Sequence, residues 1–400
     1  MLSQFSFKNY KSYKDEAILD LEAVSAQGFQ ESLLSDGYKY SYLPVSVIYG
    51  PNGGGKSNVL EAVSALIKTV VLPILAIRGT ANQSVIPLTP FMFDSTSKEK
   101  PIEFEMFFQP DDMYEYKYIL HLNQGSVVKE QLYRRKLANN GRITTLFERY
   151  IYGVKLGSSI NKKTINKDVN ERMPYLSFLA ANYKIESINV AAAWFEKCVM
   201  INYAKPLSES HFLWSNDIKF KNDLITFLND TGINITDIIV DDKSSTGVDF
   251  LLEHTVGNEK YLLSLDQESD GTSKLFNILP YVMNVLKEGR LLIVDELDAK
   301  LHPQLLKYII MLFKNPDINK NKAQLLFTSH DVSTMKSSVF RTDEIWFAYK
   351  KEDESSDLYS LSELRNENGN KISSQTAFDK QYLEGRYGAD PYLRHVTDWS

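Results

Sequence analysis

A glycine-rich segment between a strand and a helix places the strongest constraint on how this chain can fold. Residues 50–57 read GPNGGGKS and match the pattern G-x-x-x-x-G-K-[ST] at every fixed position. Residues 44–49 before it predict a buried strand, and residues 58–67 after it carry apolar side chains at helical spacing. A loop of this kind that leads a strand directly into a helix is a building unit of α/β folds.

The residue types of this segment predict a site for a nucleoside triphosphate and Mg²⁺. Glycines allow backbone N–H groups to surround phosphate oxygens, and the helix N-terminus adds partial positive charge. Lys56 adds a full positive charge, and the Ser57 hydroxyl is a ligand for Mg²⁺. The predicted nucleotide-binding residues of the segment are Asn52, Gly53, Gly54, Gly55, Lys56, Ser57 and Asn58. An ordinary glycine-rich turn is the alternative, but it would rarely have a strand and a helix on the correct sides.

A second segment, residues 291–296, reads LLIVDE and supplies two carboxylates after four apolar residues. A fully buried strand of an α/β sheet delivers such acids at its C-terminal end, where ligands bind. Together with the glycine-rich loop, the pattern predicts that Asp295 holds Mg²⁺ through water and that Glu296 polarises the attacking water of a hydrolysis reaction. The pattern is weak alone and strong in combination, because the two segments supply complementary halves of one site.

Composition bounds the class of protein and its compartment. The 400 residues are 43% hydrophobic and 12% aromatic, which predicts a globular chain with a large core. A formal net charge of −6 argues against a protein that coats nucleic acid or anionic membrane through bulk charge, and leaves room for a local basic patch. Cys198 is the only cysteine, so no internal disulfide can form. The N-terminus lacks the apolar core of a signal peptide, and residues 66–77, interrupted by Lys68 and Pro73, are expected to be too short for a membrane span. We therefore expect a cytoplasmic protein without a membrane partner.

Changes of hydrophobic period along the chain predict four regions. They are residues 1–160, an N-terminal lobe with the glycine-rich loop and a β meander; 161–240, a helical insert; 241–350, a C-terminal lobe with the two acids; and 351–400, a tail. The meander is predicted to be antiparallel, with strands over 102–108, 114–120 and 126–133. The patterned tail segment 385–391 either docks a partner or buttresses the core, and we favour the second.

Two further segments flank the acids. Residues 269–272 read SDGT ahead of a helical pattern, and residues 324–331 read QLLFTSHD, an apolar strand that ends in a histidine. With the glycine-rich loop and the acids, in this order along the chain, they resemble the ATP-binding-cassette (ABC) class of ATPases, in the branch that includes SMC, RecF-like and OLD-type proteins. The resemblance implies an α/β fold, with an ABC-type P-loop ATPase head, an antiparallel β subdomain and a helical insert.

The same resemblance implies roles for individual residues. In that class a Ser-x-Gly signature caps the γ-phosphate bound by the opposite subunit, an Asp-containing loop follows the catalytic Glu, and a switch His contacts the γ-phosphate. The matching positions are Ser269, Gly271 and Thr272 for the signature, Asp298 for the loop, His330 for the switch and Lys11 for a basic residue near the phosphates. Taken alone, residues 269–272 would cap a helix and His330 would be a hydrogen-bonded strand end, and these structural roles are compatible with the functional ones.

Some positions depart from the class pattern. The signature has Asp270 where transporters carry glycine. The glutamine that couples the ATP site to the helical insert is not assigned. Gln83 and Gln109 are the two candidates, and Pro90 and Phe91 mark an equivalent junction.

Residues 269–272, 295–303 and the tail 382–391 narrow the resemblance to stand-alone bacterial ATPases of the RloA/AbiLi type. Those proteins are associated with restriction or abortive-infection defence loci and are often paired with a separate effector. The resemblance therefore implies an ATP-hydrolysing switch or scaffold that controls a separate effector in anti-phage defence. Residues 331–400 are expected to be too few for the metal-dependent nuclease domain of OLD-type relatives.

The class architecture implies an ATP-linked homodimer or a higher homo-oligomer, because a signature element does not reach the phosphate loop of its own chain. Two alternatives remain open. One is a DNA-binding ATPase of the SMC/RecF kind that acts on nucleic acid itself, and the other is an assembly whose shape ATP fixes while turnover is slow. DNA-stimulated hydrolysis with a steep salt dependence would favour the first of these alternatives.

Overall fold

The computed structural model describes residues 1–24, 28–80, 88–138, 141–160, 164–202, 218–241, 249–366, 369–373 and 376–389. Its strands are β1 Leu2–Lys8, β2 Ala17–Asp20, β3 Leu34–Ser35, β4 Ser41–Tyr42, β5 Val45–Tyr49, β6 Ile102–Phe108, β7 Tyr114–Asn123, β8 Ser126–Lys136, β9 Ile143–Tyr150, β10 Gly153–Leu156, β11 Val199–Asn202, β12 Asp237–Asp241, β13 Asp249–Val256, β14 Glu259–Ser264, β15 Leu291–Asp295, β16 Gln324–Thr328, β17 Ile345–Lys350 and β18 Ser356–Ser360. Its α-helices are α1 Lys56–Ile77, α2 Tyr175–Asn182, α3 Glu186–Lys197, α4 Ile218–Asp230, α5 Asp270–Glu288, α6 Pro303–Lys314 and α7 Phe378–Leu383. These elements form a mixed α/β fold, which confirms the predicted fold class.

A six-stranded sheet in the order β11-β15-β16-β5-β17-β18 forms the centre of the fold. Its strands are parallel except for β18, which pairs antiparallel with β17. The apolar runs of β5 and β16 are buried at every position, as expected for strands covered on both faces. Because β16 lies between β5 and β15, the residues that follow these three strands emerge side by side at one edge of the sheet.

A seven-stranded sheet in the order β10-β9-β8-β7-β6-β1-β2 packs over one side of the central sheet. Neighbouring strands pair antiparallel from β6 to β9, which confirms the predicted meander. Helix α1 shares one hydrophobic core with this sheet and with one face of the central sheet, where Ile48, Ile293 and Leu326 lie. The other face of the central sheet belongs to a second core that includes residues of α5 and α6.

The chain from 161 to 240, where a helical insert is predicted, contributes to both cores. Helices α2 and α3 pack against α1 and belong to the first core, whereas α4 packs against α5 in the second. The same segment supplies β11, which pairs parallel with β15 at the edge of the central sheet. Amphipathic spacing identifies such helices but does not say which surface their apolar face will cover.

Helix α1 is longer than the apolar segment at 66–77 suggests, because it continues from Lys56 to Ile77 through Pro73. By length and composition it would suffice to cross a membrane. Its buried residues belong to the first core, and this packing accounts for its apolarity.

The tail also packs on the central sheet. Strand β18 extends the sheet, and the Tyr382 ring stacks on Phe347 at a centroid distance of 5.5 Å. Tyr387 is 4% exposed and lies 5.4 Å from the same ring. These contacts agree with the favoured interpretation that the tail buttresses the core; Asp390 and Pro391 lie outside the described residues.

Candidate nucleotide-binding site

The glycine-rich loop connects β5 directly to α1, and its backbone requires glycine at two positions at least. Gly50 has φ 145° and Gly55 has φ 107°, values that residues with a Cβ atom rarely adopt. A Cβ atom at Gly50 would also overlap the carbonyl of Ala348 in β17. Asn52 and Gly53 are exposed, and a Cβ atom at Gly53 would meet nothing within 4 Å, so the outer side of the loop is open.

Lys56, the first residue of α1, is a buried cation. Its side chain is folded back so that Nζ donates to Gly50 O at 2.9 Å and Pro51 O at 3.0 Å. Burial lowers its pKa, while the negative charges of Asp295, Glu296 and Asp298 act to raise it. Among the residues that the structure describes, no carboxylate lies within ion-pair distance of this ammonium. A buried ammonium that is satisfied by carbonyls alone is suited to an anionic ligand.

Asp295 joins the three segments that meet at the edge of the central sheet. Its Oδ1 accepts hydrogen bonds from Ser57 Oγ at 3.0 Å and from Thr328 Oγ1 at 2.6 Å. A carboxylate and a hydroxyl held next to each other form an oxygen donor set, which is the chemistry that Mg²⁺ requires. Ser57 and Asp295 therefore fit the predicted metal site.

Glu296 follows the central strand in a left-handed conformation, with φ 50°. Its N–H donates to Thr328 Oγ1 at 2.7 Å, so one hydroxyl orients both acids. The Glu296 side chain is exposed, which leaves its carboxylate accessible to water. This arrangement holds the backbone of Glu296 at the edge where the glycine-rich loop also ends.

Asp298 and His330 lie together at the same edge. The His330 N–H donates to Asp298 Oδ2 at 3.1 Å, and the His330 side chain is exposed. The other oxygen of Asp298, Oδ1, is buried without a hydrogen-bond partner within the described parts of the chain. This buried carboxylate oxygen can therefore accept a further hydrogen bond.

The chain resembles known proteins in sequence and in fold. A family model described as "AAA domain, putative AbiEii toxin, Type IV TA system" matches residues 45–336, well over half of the chain. The chain belongs to this AAA-domain family. A crystal structure of an SMC head bound to the C-winged helix domain of ScpA is similar at 15% identity, with a TM-score of 0.45, over 93% of this chain and 99% of that one. No curated protein sequence matches the chain.

The signature-like residues of this AAA domain lie at the start of α5. Ser269 is the N-cap: its Oγ accepts a hydrogen bond from the Thr272 N–H at 3.1 Å, so the helix-capping role is observed. Ser269 is exposed, and Gly271 lies near Lys300, since a Cβ atom there would be 3.5 Å from Lys300 O. No hydrogen bond or ion pair connects 269–272 with 50–58 in the described residues. The structure thus brings the loop, the acids and His330 together, whereas the signature-like turn contacts the segment after the acids, through the Asp270–Lys300 ion pair, and not the loop.

Lys11 lies beside the loop but is paired within the chain. It has φ 51°, and its ammonium forms an ion pair with Glu61 of α1. Its neighbour Ser12 contacts the loop region more directly, because Ser12 Oγ accepts from Asn58 Nδ2 at 2.7 Å. Ser356 Oγ of β18 donates to the same Ser12 oxygen at 2.8 Å. The segment after β1 and the strand from the tail therefore wall the loop from one side.

Three residues of this region were not predicted, namely Thr328, Ser356 and Lys274. Thr328 carried a usable signal, because a polar residue at the end of a fully buried strand occupies the same position on β16 as Asp295 does on β15. Ser356 carried none, because its contact with Ser12 spans 344 residues of sequence. Lys274 is 7% exposed and donates from Nζ to Glu296 O at 3.2 Å, and burial lowers its pKa to about 8.

Gln109 does not occupy a position that could couple ATP to the helices. It follows β6 beside Met1, and its Nε2 donates to Tyr42 OH at 2.7 Å. Because β1 and β6 are antiparallel, Gln109 lies at the end of β1 opposite to Lys11. Phe91, by contrast, lies near Lys11, since its N–H donates to Asn9 Oδ1 at 3.1 Å and Thr89 O accepts from the Lys11 N–H. Gln83 lies outside the described residues.

Proposed function

We propose that this AAA domain is an ABC-type ATPase of the SMC/RecF/OLD branch that binds and hydrolyses ATP and controls a separate effector protein. One observation carries the proposal: Asp295 accepts hydrogen bonds from Ser57 at the end of the glycine-rich loop and from Thr328 at the end of β16. Segments far apart in sequence thereby assemble a cation, a hydroxyl and two carboxylates at one sheet edge, which is the set that phosphoryl transfer to water requires.

Each residue has a role in the proposed reaction. The N–H groups of residues 53–58 and the Lys56 ammonium bind the phosphates, with Lys56 leaving the carbonyls of Gly50 and Pro51 for a phosphate oxygen. Ser57 and Asp295 would hold Mg²⁺, with Asp295 acting through water, and the ion would supply neutralisation of the phosphate charge. Glu296 accepts a proton from the attacking water, and its exposed position gives water access to its carboxylate.

The signature-like turn is proposed to act on the ATP of a second copy. Ser269 caps the N-terminus of α5, and within the described residues neither Ser269 nor Gly271 forms a hydrogen bond or an ion pair with the loop of its own chain. A helix N-terminus favours a negatively charged group, so this turn suits the γ-phosphate held by a partner protomer. ATP would then hold two protomers head to tail, and loss of the γ-phosphate would release them. His330 completes the γ-phosphate contacts from the same protomer that holds the loop.

The effector and the biological setting rest on the family. Its description names a putative toxin and a type IV toxin–antitoxin system, and a toxin–antitoxin system by name has two components. On that basis we propose a switch in bacterial defence that acts with a partner protein, as in ATPases of the RloA/AbiLi type, and the cytoplasmic location expected from the sequence is part of this proposal.

The decisive experiment measures mass and hydrolysis together. Glu296→Gln is expected to keep ATP and Mg²⁺ bound and to run as a dimer in light scattering with ATP, whereas the wild type returns to the apo mass as ATP is consumed. A Glu296→Gln protein that stays at the apo mass in saturating ATP would contradict the dimer. Hydrolysis stimulated strongly by DNA, with a steep loss at higher salt, would replace effector control by action on nucleic acid.

A further inference from the structure

A buried lysine connects the signature-like turn with Glu296 of the same chain. Lys274 lies in α5 four residues after Asp270, the first residue of the helix, and only 7% of it is exposed. Its Nζ donates to Glu296 O at 3.2 Å and also to Ala299 O. One ammonium therefore holds both ends of the turn that follows β15.

The turn that Lys274 holds has an unfavourable backbone. Glu296 has φ 50° and Lys300 has φ 62°, and both carry a Cβ atom. The left-handed region is disfavoured for such residues and persists where the surrounding contacts enforce it. Within the turn, the Ala299 N–H donates to Glu296 O at 3.0 Å, so this carbonyl accepts from the backbone and from Lys274.

One exposed ion pair and one close backbone approach also join these two segments. Lys300 Nζ lies 3.1 Å from Asp270 Oδ2, and a Cβ atom at Gly271 would lie 3.5 Å from Lys300 O. The exposed ion pair is screened by solvent and contributes little. Within the described residues, the buried Lys274 contacts are a less screened connection between the start of α5 and the turn 296–300 than this ion pair.

We propose that Lys274 is a positioning residue that fixes Glu296 and makes its position depend on the first turn of α5. This inference rests on the proposed function, in which that turn meets the ATP of a second copy and Glu296 acts on the ATP of its own. Docking of the signature-like turn on one nucleotide would then order the base that serves the other nucleotide. The two sites of a dimer would thus be coupled through one side chain in each protomer.

The test uses the full chain in the Glu296→Gln background, which keeps the Glu296 carbonyl and is expected to hold ATP. Lys274→Met removes the ammonium at similar length, and Lys287→Met at the exposed end of α5 is the matched control. Hydrogen exchange is followed at residues 53–58 and 296–301, with and without ATP and Mg²⁺. Without nucleotide, we expect exchange at 296–301 to be faster with Lys274→Met than with the control.

With ATP, residues 53–58 should be protected in every variant, and residues 296–301 should be slowed about tenfold unless Lys274 is replaced. An equal ATP response of 296–301 in the Lys274→Met and Lys287→Met proteins overturns the proposal. Absence of protection at 53–58 in all variants contradicts the proposed function instead. In that case the nucleotide-free comparison still decides whether Lys274 holds the turn.

Kinetics in the background with native Glu296 separate positioning from binding. We expect Lys274→Met to lower kcat about tenfold to hundredfold, as a displaced catalytic group does, with KM for ATP changed less than about threefold. Lys274→Arg, which keeps N–H donors, should recover most of kcat. If Lys274→Met raises KM for ATP and leaves kcat unchanged, the positioning role of Lys274 is overturned. If Lys274→Met fails to fold, Lys274→Leu, which is shorter and has no donor, replaces it in both measurements.

Discussion

Thr328→Val is the sharpest test of how the site is assembled. The substitution keeps the branched shape of a residue that is fully buried at the end of β16, and removes only its hydroxyl. That hydroxyl donates to Asp295 Oδ1 at 2.6 Å and accepts from the Glu296 N–H at 2.7 Å. Valine would therefore remove one hydrogen bond from each acid at once while it keeps the side-chain shape.

The size of the effect follows from these two bonds. A hydrogen bond to a charged group contributes about 1.5–3 kcal/mol, and an unpaired buried N–H costs about 1–3 kcal/mol. Asp295 is only half-buried and keeps Ser57 as a donor, so the lower end of each range applies. We expect Thr328→Val to lower the free energy of unfolding by about 2–3 kcal/mol. We expect kcat for ATP hydrolysis to fall about tenfold or more, since a rise of about 1.4 kcal/mol in the activation free energy corresponds to a factor of ten.

Thr328→Ser is the matched control, because it keeps the hydroxyl and removes a methyl group. Chemical denaturation gives the stability difference from the shift in midpoint at constant slope, and a phosphate-release assay gives kcat. Valine and serine variants with the same stability and the same kcat would refute the reasoning. The Asp295 and Glu296 contacts would then be incidental to the site.

The remaining predictions concern binding and stability. Lys56→Ala is expected to weaken ATP binding at least about tenfold, since it removes the charged donor to the phosphates. Titration with a fluorescent ATP analogue measures the affinity, and the exposed control Lys68→Ala should leave it unchanged. Unchanged affinity in Lys56→Ala would contradict the prediction. Lys314→Met leaves Glu344, its fully buried partner at 2.6 Å, without a counter-charge, and should cost about 3–5 kcal/mol in the free energy of unfolding. Burial raises the pKa of Glu344 and lowers that of Lys314, and the opposite charge of the partner acts against each shift. The charged form of each residue is therefore stabilised by its partner. A Lys314→Met protein that unfolds at the wild-type denaturant concentration would rule this out.

The residues of the site that lie within short, continuous segments of sequence were predictable. The strand, glycine-rich loop and helix around Lys56 lie within about 30 residues, and their order alone implies a phosphate-binding turn. Asp295 ends an apolar run, and Ser269 precedes an amphipathic run, so a strand end and a helix cap follow from periodicity and capping chemistry. The antiparallel meander was predictable for the same reason.

Contacts between distant segments were not predictable in this way. Gln109 has a side chain that could contact a nucleotide site. However, β1 pairs antiparallel with β6, and Gln109 therefore lies at the end of β1 opposite to Lys11. Lys11 itself lies beside the loop, yet its ammonium is paired with Glu61. Neither outcome is encoded locally, because each depends on which strands or helices become neighbours.

The sequence alone determined the strand–loop–helix unit and the pair of acids that ends a buried strand. These features depend on glycine conformation, helix capping and hydrophobic period, which act over a few residues. Only the tertiary structure placed β16 between β5 and β15, so that Thr328 holds both acids, and set Lys274 of α5 against the Glu296 carbonyl. Strand order and helix docking are settled by the burial of whole faces against one another, and that burial is a property of the assembled chain.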